Sequence, residues 1–519
     1  MDGYRKVIVN TGLAVFMAFA NYNMIIIALP AILSGLDFNP LSPYAFPYIV
    51  WLILGYMVVT AAFVGLFGRL GDVYGKYRVF SIGYLVFAVS SLLMALIPPL
   101  GTPAVTMLIV LRIVQGIGGG LLMANSSAII ADSVPRNRLG WALSMNQSLG
   151  LIGGVAGLIL GGVLSVIDWR LLFLLPGAVG IVGFLLTRGY KNQTRTMKLD
   201  LPGGLLMALG LSLILLGSTL VMIPGVGEVT VLSLFASGAV ALALLAYVET
   251  KTVQPLFDFR LFRLWDFSIA MLTNTLVSAV RQGTMILLIV LLQAVWLPLH
   301  GVPFDQTPLL AGLYMLPNSL GFAVSAPVAG RLSDRIGSRA LTTAGLAISA
   351  ISTFALYLLP YDFPITELFV ITFFSGLGMG LFSAPNLADI LASTPPQYRG
   401  AASGLRGSLQ NTASAIAVTA YFLMLFSFLY SPLNTAVSSL DPGTTVNPAE
   451  VVFAALLGYP PIPGVNLTPS QFGEIIAQPF MVAFDEVVLV STAVIAFSAV
   501  MSYFRRNARL SPAREAQKT

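Results

Sequence analysis

Fourteen apolar runs of about 20 to 30 residues follow one another along this chain, separated mostly by short polar connections. A helix of about 20 residues crosses the hydrocarbon core of a bilayer. Inside that core the backbone must satisfy its own hydrogen bonds, which restricts a spanning chain to helices or a closed barrel. We place the spans at 7–33, 46–67, 79–97, 103–131, 139–165, 170–189, 202–223, 229–250, 266–296, 308–329, 340–360, 364–393, 401–430 and 483–504. Charged residues make up only 9% of the 519, where a soluble domain carries about 25%. The chain reads as an all-α polytopic membrane protein.

The net charge of +6 reports topology, not a nucleic-acid partner. Fourteen spans put both termini on one side, and 24 of the 27 Lys and Arg residues lie there too. Arg112 and Arg281 fall inside spans, and Arg170 falls on the far side. This asymmetry marks the cytoplasmic face, so both termini are expected there, in the cell membrane. The first span is too long for the apolar part of a signal peptide and is read as a retained helix. There is no cysteine, which excludes thiolate metal sites, and a lone histidine, His300, makes a poor metal ligand set. No cofactor is expected, and no enzyme. Neither a Ser/His or Asp/Asp constellation nor a phosphate-binding glycine motif after a strand is present.

A charged turn occurs twice. Gly68-Arg69-Leu70-Gly71-Asp72-Val73-Tyr74-Gly75-Lys76-Tyr77-Arg78 joins the second and third spans. A degenerate copy beginning Gly330-Arg331-Leu332-Ser333-Asp334 joins the tenth and eleventh, 262 residues on (330 minus 68). The chain therefore divides into two pseudo-symmetric six-helix bundles, 1–200 and 266–519. Between them lie an inserted transmembrane hairpin, 201–250, and a cytoplasmic amphipathic linker, 251–265. A long outer loop, 431–482, is read as a lid or packing element, with a short helix starting at Thr468-Pro469-Ser470-Gln471. Pro308, Pro317 and Pro327 predict a kinked or broken tenth helix.

Polar groups inside spans are costly against lipid and point toward a cavity or another helix. Here they are Asn21 and Asn23 in the first span, Arg112 and Gln115 in the fourth, Asn146 in the fifth, Arg281 in the ninth and Asp389 in the twelfth. Arginine at such depth costs about 2.5–3.5 kcal/mol even on the lenient insertion scale. Arg112 is either a cavity cation or a buried arginine that holds helices together through carbonyls and Asn side chains. Asp389 is either a proton carrier or a structural partner of Arg399 or Arg406. Gly153, Gly157, Gly161 and Gly162 stripe the fifth helix and predict tight packing on a neighbour.

Taken together these stretches resemble the major facilitator superfamily, in its fourteen-helix drug:proton antiporter branch. The signature after the second helix is matched by Gly68, Leu70, Asp72, Gly75 and Lys76, and the fourth-helix arginine motif by Arg112, Gln115, Gly116 and Gly118. Ala28-Leu29-Pro30 matches the first-helix motif, and Ala311-Gly312 with Leu316-Pro317 the tenth. Two positions depart from the pattern. Asn21 stands where the branch has an aspartate, and Leu158 replaces the proline of the fifth-helix antiporter motif.

The resemblance implies a secondary transporter that moves small amphipathic compounds by alternating access, as efflux and with protons as the coupling ion. An organic-anion carrier with different coupling is the second transport reading, and a non-transporting sensor or scaffold the reading of another class. The substrate and coupling cavity is expected around Asn21, Asn23, Arg112, Gln115, Asn146, Arg281 and Asp389. Arginines at its centre, with no acid there, would favour anionic or neutral substrates. The resemblance makes the turn a cytoplasmic gate formed by Gly68, Arg69, Asp72, Gly75, Lys76, Asp132, Arg331 and Asp334, with Arg69 expected to meet Asp132. The partners are a small-molecule substrate, protons and the bilayer, for a monomer.

Overall fold

A backbone that crosses lipid as helices must break only where something else satisfies its polar groups. The breaks here fall at glycine and proline. The computed structural model describes residues 3–39, 45–135, 139–188, 201–220, 226–251, 259–303, 306–394, 399–439, 446–448, 451–452 and 469–505. Its first eight helices are α1 (Gly3–Gly35), α2 (Ala45–Tyr74), α3 (Lys76–Ala95), α4 (Thr102–Ser133), α5 (Leu139–Ile167), α6 (Leu171–Leu186), α7 (Leu201–Leu220) and α8 (Glu228–Lys251). Then come α9 (Trp265–Val290), α10 in two pieces (Thr307–Tyr314 and Leu316–Ile336), α11 (Ser338–Tyr357), α12 (Ile365–Ala392), α13 (Arg399–Ser438) and α14 (Gln478–Tyr503). Among the described residues twelve helices are long and apolar enough to cross a membrane; the apolar stretches of α6 and α7, Leu171–Leu186 and Pro202–Ser218, are shorter.

Proline explains the irregular elements. α10 is interrupted at Met315, immediately before Leu316-Pro317. α9 continues into a π-turn over Leu291–Trp296 and a last short piece, Leu297–Leu299, that holds Pro298. The expected short helix at Pro469–Phe472 leads into a second π-turn, Gly473–Ala477, and so directly into α14, which carries Pro479 near its start. A proline ring crowds the carbonyl four residues earlier, and a wider turn at that point relieves it. The last helix therefore starts earlier than its apolar run suggested, and α13 extends past the expected 430 to Ser438. Parts of the expected outer loop and linker, including 252–258 and 453–468, lie outside the described residues.

The two halves share a frame. Gly75 ends α2 at φ 98° and Gly337 ends α10 at φ 87°, positive values that favour glycine. They are 262 residues apart (337 minus 75), and the helices that follow, α3 and α11, are both 20 residues long. We call the end of the bundle holding these turns the turn end, and the other the far end. α7 and α8 cross closely, Gly210 against Leu242 and Gly238 against Ile214. Met207, Leu211 and Leu245 of this hairpin join a core with Ala62 of α2, Phe267 of α9 and Leu405 of α13, so the hairpin closes one seam between the halves.

Two tryptophans near helix ends, where indoles commonly anchor at a membrane interface, are core groups here. Trp169 is buried, its indole occupying the space beside Gly35. Trp296 is buried too, donating from Nε1 to the Phe363 carbonyl at 3.1 Å and stacking on His300 at 3.9 Å. His300 in turn places Nε2 3.2 Å from Asp362. The lone histidine thus serves a far-end aromatic cluster.

Candidate functional site

The site begins with how α4 is admitted to the first half. Gly116 faces the Tyr56 carbonyl and Gly118 faces the Phe87 amide so closely that a Cβ would lie 2.8 and 2.6 Å from them. Without side chains at these positions α2 and α3 press onto α4, and Arg112, one turn earlier, is enclosed with no exposure. Its Nη1 donates to Asn21 Oδ1 at 2.6 Å and to Gln115 Oε1 at 2.7 Å, and its Nε donates to the Leu52 carbonyl at 3.4 Å. Gln115 Nε2 donates onward to Ser91 Oγ at 2.7 Å. The guanidinium carbon lies 4.9 Å from the Tyr56 ring centroid, a geometry worth about 2 kcal/mol when desolvated. Among the described residues no carboxylate pairs with this cation. Neutral dipoles and one aromatic face hold it.

A cavity of about 140 Å³ lies between the halves. This is below the roughly 300–1,000 Å³ of a drug-sized pocket. The first half contributes an aromatic and thioether wall from Phe19, Tyr22, Tyr56, Met57 and Met123, together with Asn23. The second half contributes Arg281 and Gln282 from α9, Asn318 from α10, Thr372 and Ser375 from α12, and Gln410 and Asn411 from α13. Of the expected cavity group, Asn23 and Arg281 line this space. Asn21, Arg112 and Gln115 are brought together, but behind it: Tyr56 lines the cavity and Arg112 lies over Tyr56. Asn146 accepts from Ser126 Oγ at 3.2 Å between α5 and α4. Asp389 lies farther toward the turn end.

The glycine stripe of α5 seats on the backbone of α1 at one-turn intervals. A Cβ at Gly153, Gly157 or Gly161 would lie 2.3, 2.3 or 2.8 Å from the carbonyl oxygens of Phe16, Ala20 and Met24. The same approach lets Asn23 Nδ2 donate to the Gly154 carbonyl at 2.9 Å. Gly162 takes no part in that seam. It meets Leu309 of α10, and Leu158 meets Gly312, so α5 and α10 close the far end. At the other end, Ser383 Oγ of α12 donates to Gln147 Oε1 of α5 at 3.1 Å. Leu387 there packs with Ile8, Ile130, Val134 and Leu143 of the first half. Contacts between the halves thus flank the cavity on both sides.

The turn also differs from expectation in its pairing. Lys76, not Arg69, meets Asp132, at 2.6 Å, and lies 3.5 Å from Asp72. Arg69 is buried, one turn before Asp72 on the same helix. Gly71 is pressed against the Asn125 side chain, and Gly68 faces Ala124. In the second copy Arg331 is described, but the side chain of Asp334 lies outside the described residues. Asp389 does not pair with Arg406, and the side chain of Arg399 lies outside the described residues. Asp389 meets Arg505 at 3.6 Å, and Arg505 also bonds Thr273 and the Ile269 carbonyl. Arg406 donates instead to Asn274 Oδ1 at 3.1 Å. Burial pulls the Arg505 guanidinium down to about 10, while Asp389 and Asp266 favour its charged form. Arg505 was missed because it follows the last apolar run, where a basic residue reads as a topology signal.

Comparison with known proteins places this geometry in a family. The family model described as Major Facilitator Superfamily matches residues 11–418 and 270–512. The riboflavin transporter RibZ of Clostridioides difficile is 29% identical over 420 residues, covering 80% of this chain and 86% of that protein. The multidrug resistance protein B homolog of Mycobacterium tuberculosis is 32% identical over 317 residues, covering 59% and 56%. Among solved structures the proton:xylose symporter XylE shares the fold, with a TM-score of 0.57 at 14% identity over 94% of each chain.

Proposed function

The chain belongs to the Major Facilitator Superfamily, and from that premise we propose that it exports small amphipathic compounds by alternating access through the cavity between its halves. The observation that carries this reading is a cavity walled by both halves, with contacts between the halves on either side of it. Rocking the halves would open one set of contacts while keeping the other, which exposes a fixed site to each side in turn. An aromatic first-half wall, facing a second-half wall that carries Arg281 and amides among apolar groups, suits a substrate with an apolar body and a polar end. A relative named for multidrug resistance and another named a riboflavin transporter support small organic cargo. We assign the fourteen-helix arrangement to the drug-transporter branch, the turn end to the cytoplasm and the working unit to a monomer in the cell membrane.

Among the described residues no carboxylate lines the cavity, so a proton that drives export would be carried elsewhere. Asp389, on Arg505, is the acid to test. The full chain reconstituted in liposomes, with and without an imposed pH gradient, is offered cationic, neutral and anionic lipophiles. The reading predicts saturable movement of at least one class above empty liposomes. Movement of none overturns it. Proton coupling through Asp389 predicts that Asp389→Asn abolishes the response to the gradient, and an unchanged response removes that assignment.

A further inference from the structure

Resting on the reading of this cavity as the transport site, we propose that its second-half wall is a binding subsite for an anionic group, with Arg281 as the ligand-facing cation. The preferred cargo is then an organic anion with a flat apolar body: a carboxylate, sulfonate or phosphate on an aromatic frame.

The two intramembrane arginines are in opposite states. Arg112 is fully enclosed: its Nη1 and Nε are bonded to Asn21, Gln115 and the Leu52 carbonyl, and its Nη2 is sealed in the interior with no partner among the described residues. Arg281 keeps partial exposure, and that exposure is to the cavity it lines. Among the described residues its guanidinium has no ion pair and no hydrogen bond, and it is the one charged side chain on the cavity wall. A cation held inside a low-dielectric wall with five N–H donors unspent is matched by an incoming oxyanion, which planar guanidinium binds through two parallel bonds. A cationic ligand in the same space meets like charge with little water to screen it.

The neighbouring groups fit the same polarity. Gln410 and Asn411 of α13 line the cavity and offer amide donors of the kind that complete an oxyanion's shell. Across the space, Tyr22 and Tyr56 offer ring faces and Met57 a deformable thioether, surfaces that take a flat apolar body. The Tyr22 hydroxyl is buried with no partner among the described residues.

The test uses the purified full chain in detergent and three probes of one shape: 2-naphthoate, 2-naphthamide and 2-naphthylmethylammonium. Binding is measured by calorimetry. Wild type is expected to bind the carboxylate at least about tenfold more tightly than the amide, as a charge-assisted contact requires. The ammonium is expected to bind weakest. Arg281→Gln should erase the carboxylate's advantage over the amide while leaving the melting temperature near wild type, because the guanidinium has no protein partner to orphan. Arg281→Lys should retain part of the advantage as a point charge. Tightest binding of the ammonium by wild type overturns the inference without any variant. So does a carboxylate preference that survives Arg281→Gln, and so does binding of none of the three. The inference and the transport reading fail separately: an intact probe ranking with no movement in liposomes removes export and leaves the anion subsite, and movement with no ranking does the reverse.

Discussion

The two halves repeat one frame but place their charge and their tight seam differently. In the first half the intramembrane cation lies on the fourth helix, behind the cavity wall and bonded to neutral groups. In the second half it lies on the first helix of the bundle and faces the cavity. The residue 262 before Arg281 is Phe19, an aromatic on the same cavity, and the residue 262 after Arg112 is Phe374. The glycine seam shows the same divergence. Gly153 and Gly157 hold α5 against α1, while the residues 262 later on α13 are Ala415 and Thr419. On one frame, the first half presents an aromatic and thioether wall with Asn23, and the second presents Arg281 among amides, hydroxyls and apolar side chains.

Breaking the seam on each side should separate the halves most strongly. Gly157→Val adds atoms beginning 2.3 Å from the Ala20 carbonyl, and overpacking of this kind costs typically about 1–3 kcal/mol or more. Loss of monodisperse protein and a lowered melting temperature are expected. Thr419→Val, at the matching position, removes a buried hydroxyl that has no partner among the described residues, and should change stability by no more than about 1 kcal/mol. Equal damage from both would erase the distinction between the seams.

The two arginines give the next contrast. Arg112→Met strands Asn21 Oδ1 and Gln115 Oε1, each at about 1–3 kcal/mol when left unsatisfied, and should lower the melting temperature in detergent by several degrees. Arg281→Met should leave it near wild type. Asn21→Asp sharpens the point in the opposite direction. A carboxylate at the position now 2.6 Å from Arg112 Nη1 gives the buried cation an opposite charge, and a modest rise in melting temperature is expected. The smallest effect is at the turn. Lys76 and Asp132 are both partly exposed, and such pairs contribute about 0–1 kcal/mol. Their second-half counterparts, Ser338 and Thr394, carry no charge, so Lys76→Ser should fold normally.

Several of these features were legible in the amino-acid sequence. Spacing alone located the spans, the duplicated turn, the broken tenth helix and the α5 stripe, because each depends on residues close together along the chain. Which arginine faces the cavity was not legible. Arg112 and Arg281 are both deep in apolar helices, and their difference arises from rotation of α4 and α9 and from the closeness of Tyr56, which periodicity in a helix apolar all round does not encode. The partner of Asp389 was hidden for another reason. Arg505 lies 116 residues along (505 minus 389) and past the last span, and only the packing of α14 against α9 brings it back. Lys76 displaced Arg69 as the partner of Asp132 because α3 starts at Lys76, immediately after the Gly75 turn.

The central claim is that the two halves rock about the cavity between them. The chain contains no cysteine, so paired cysteines report on it without background. Tyr74 and Ile336, corresponding residues at the turn end, are exposed, as are Val166 and Phe428 toward the far end. Spin labels on each pair in lipid nanodiscs should give two distance populations by pulsed electron resonance. On addition of 2-naphthoate the weights at the two ends should shift in opposite senses, one end opening as the other closes. Distances that are single and unchanged at both ends, or that widen together, would contradict alternating access.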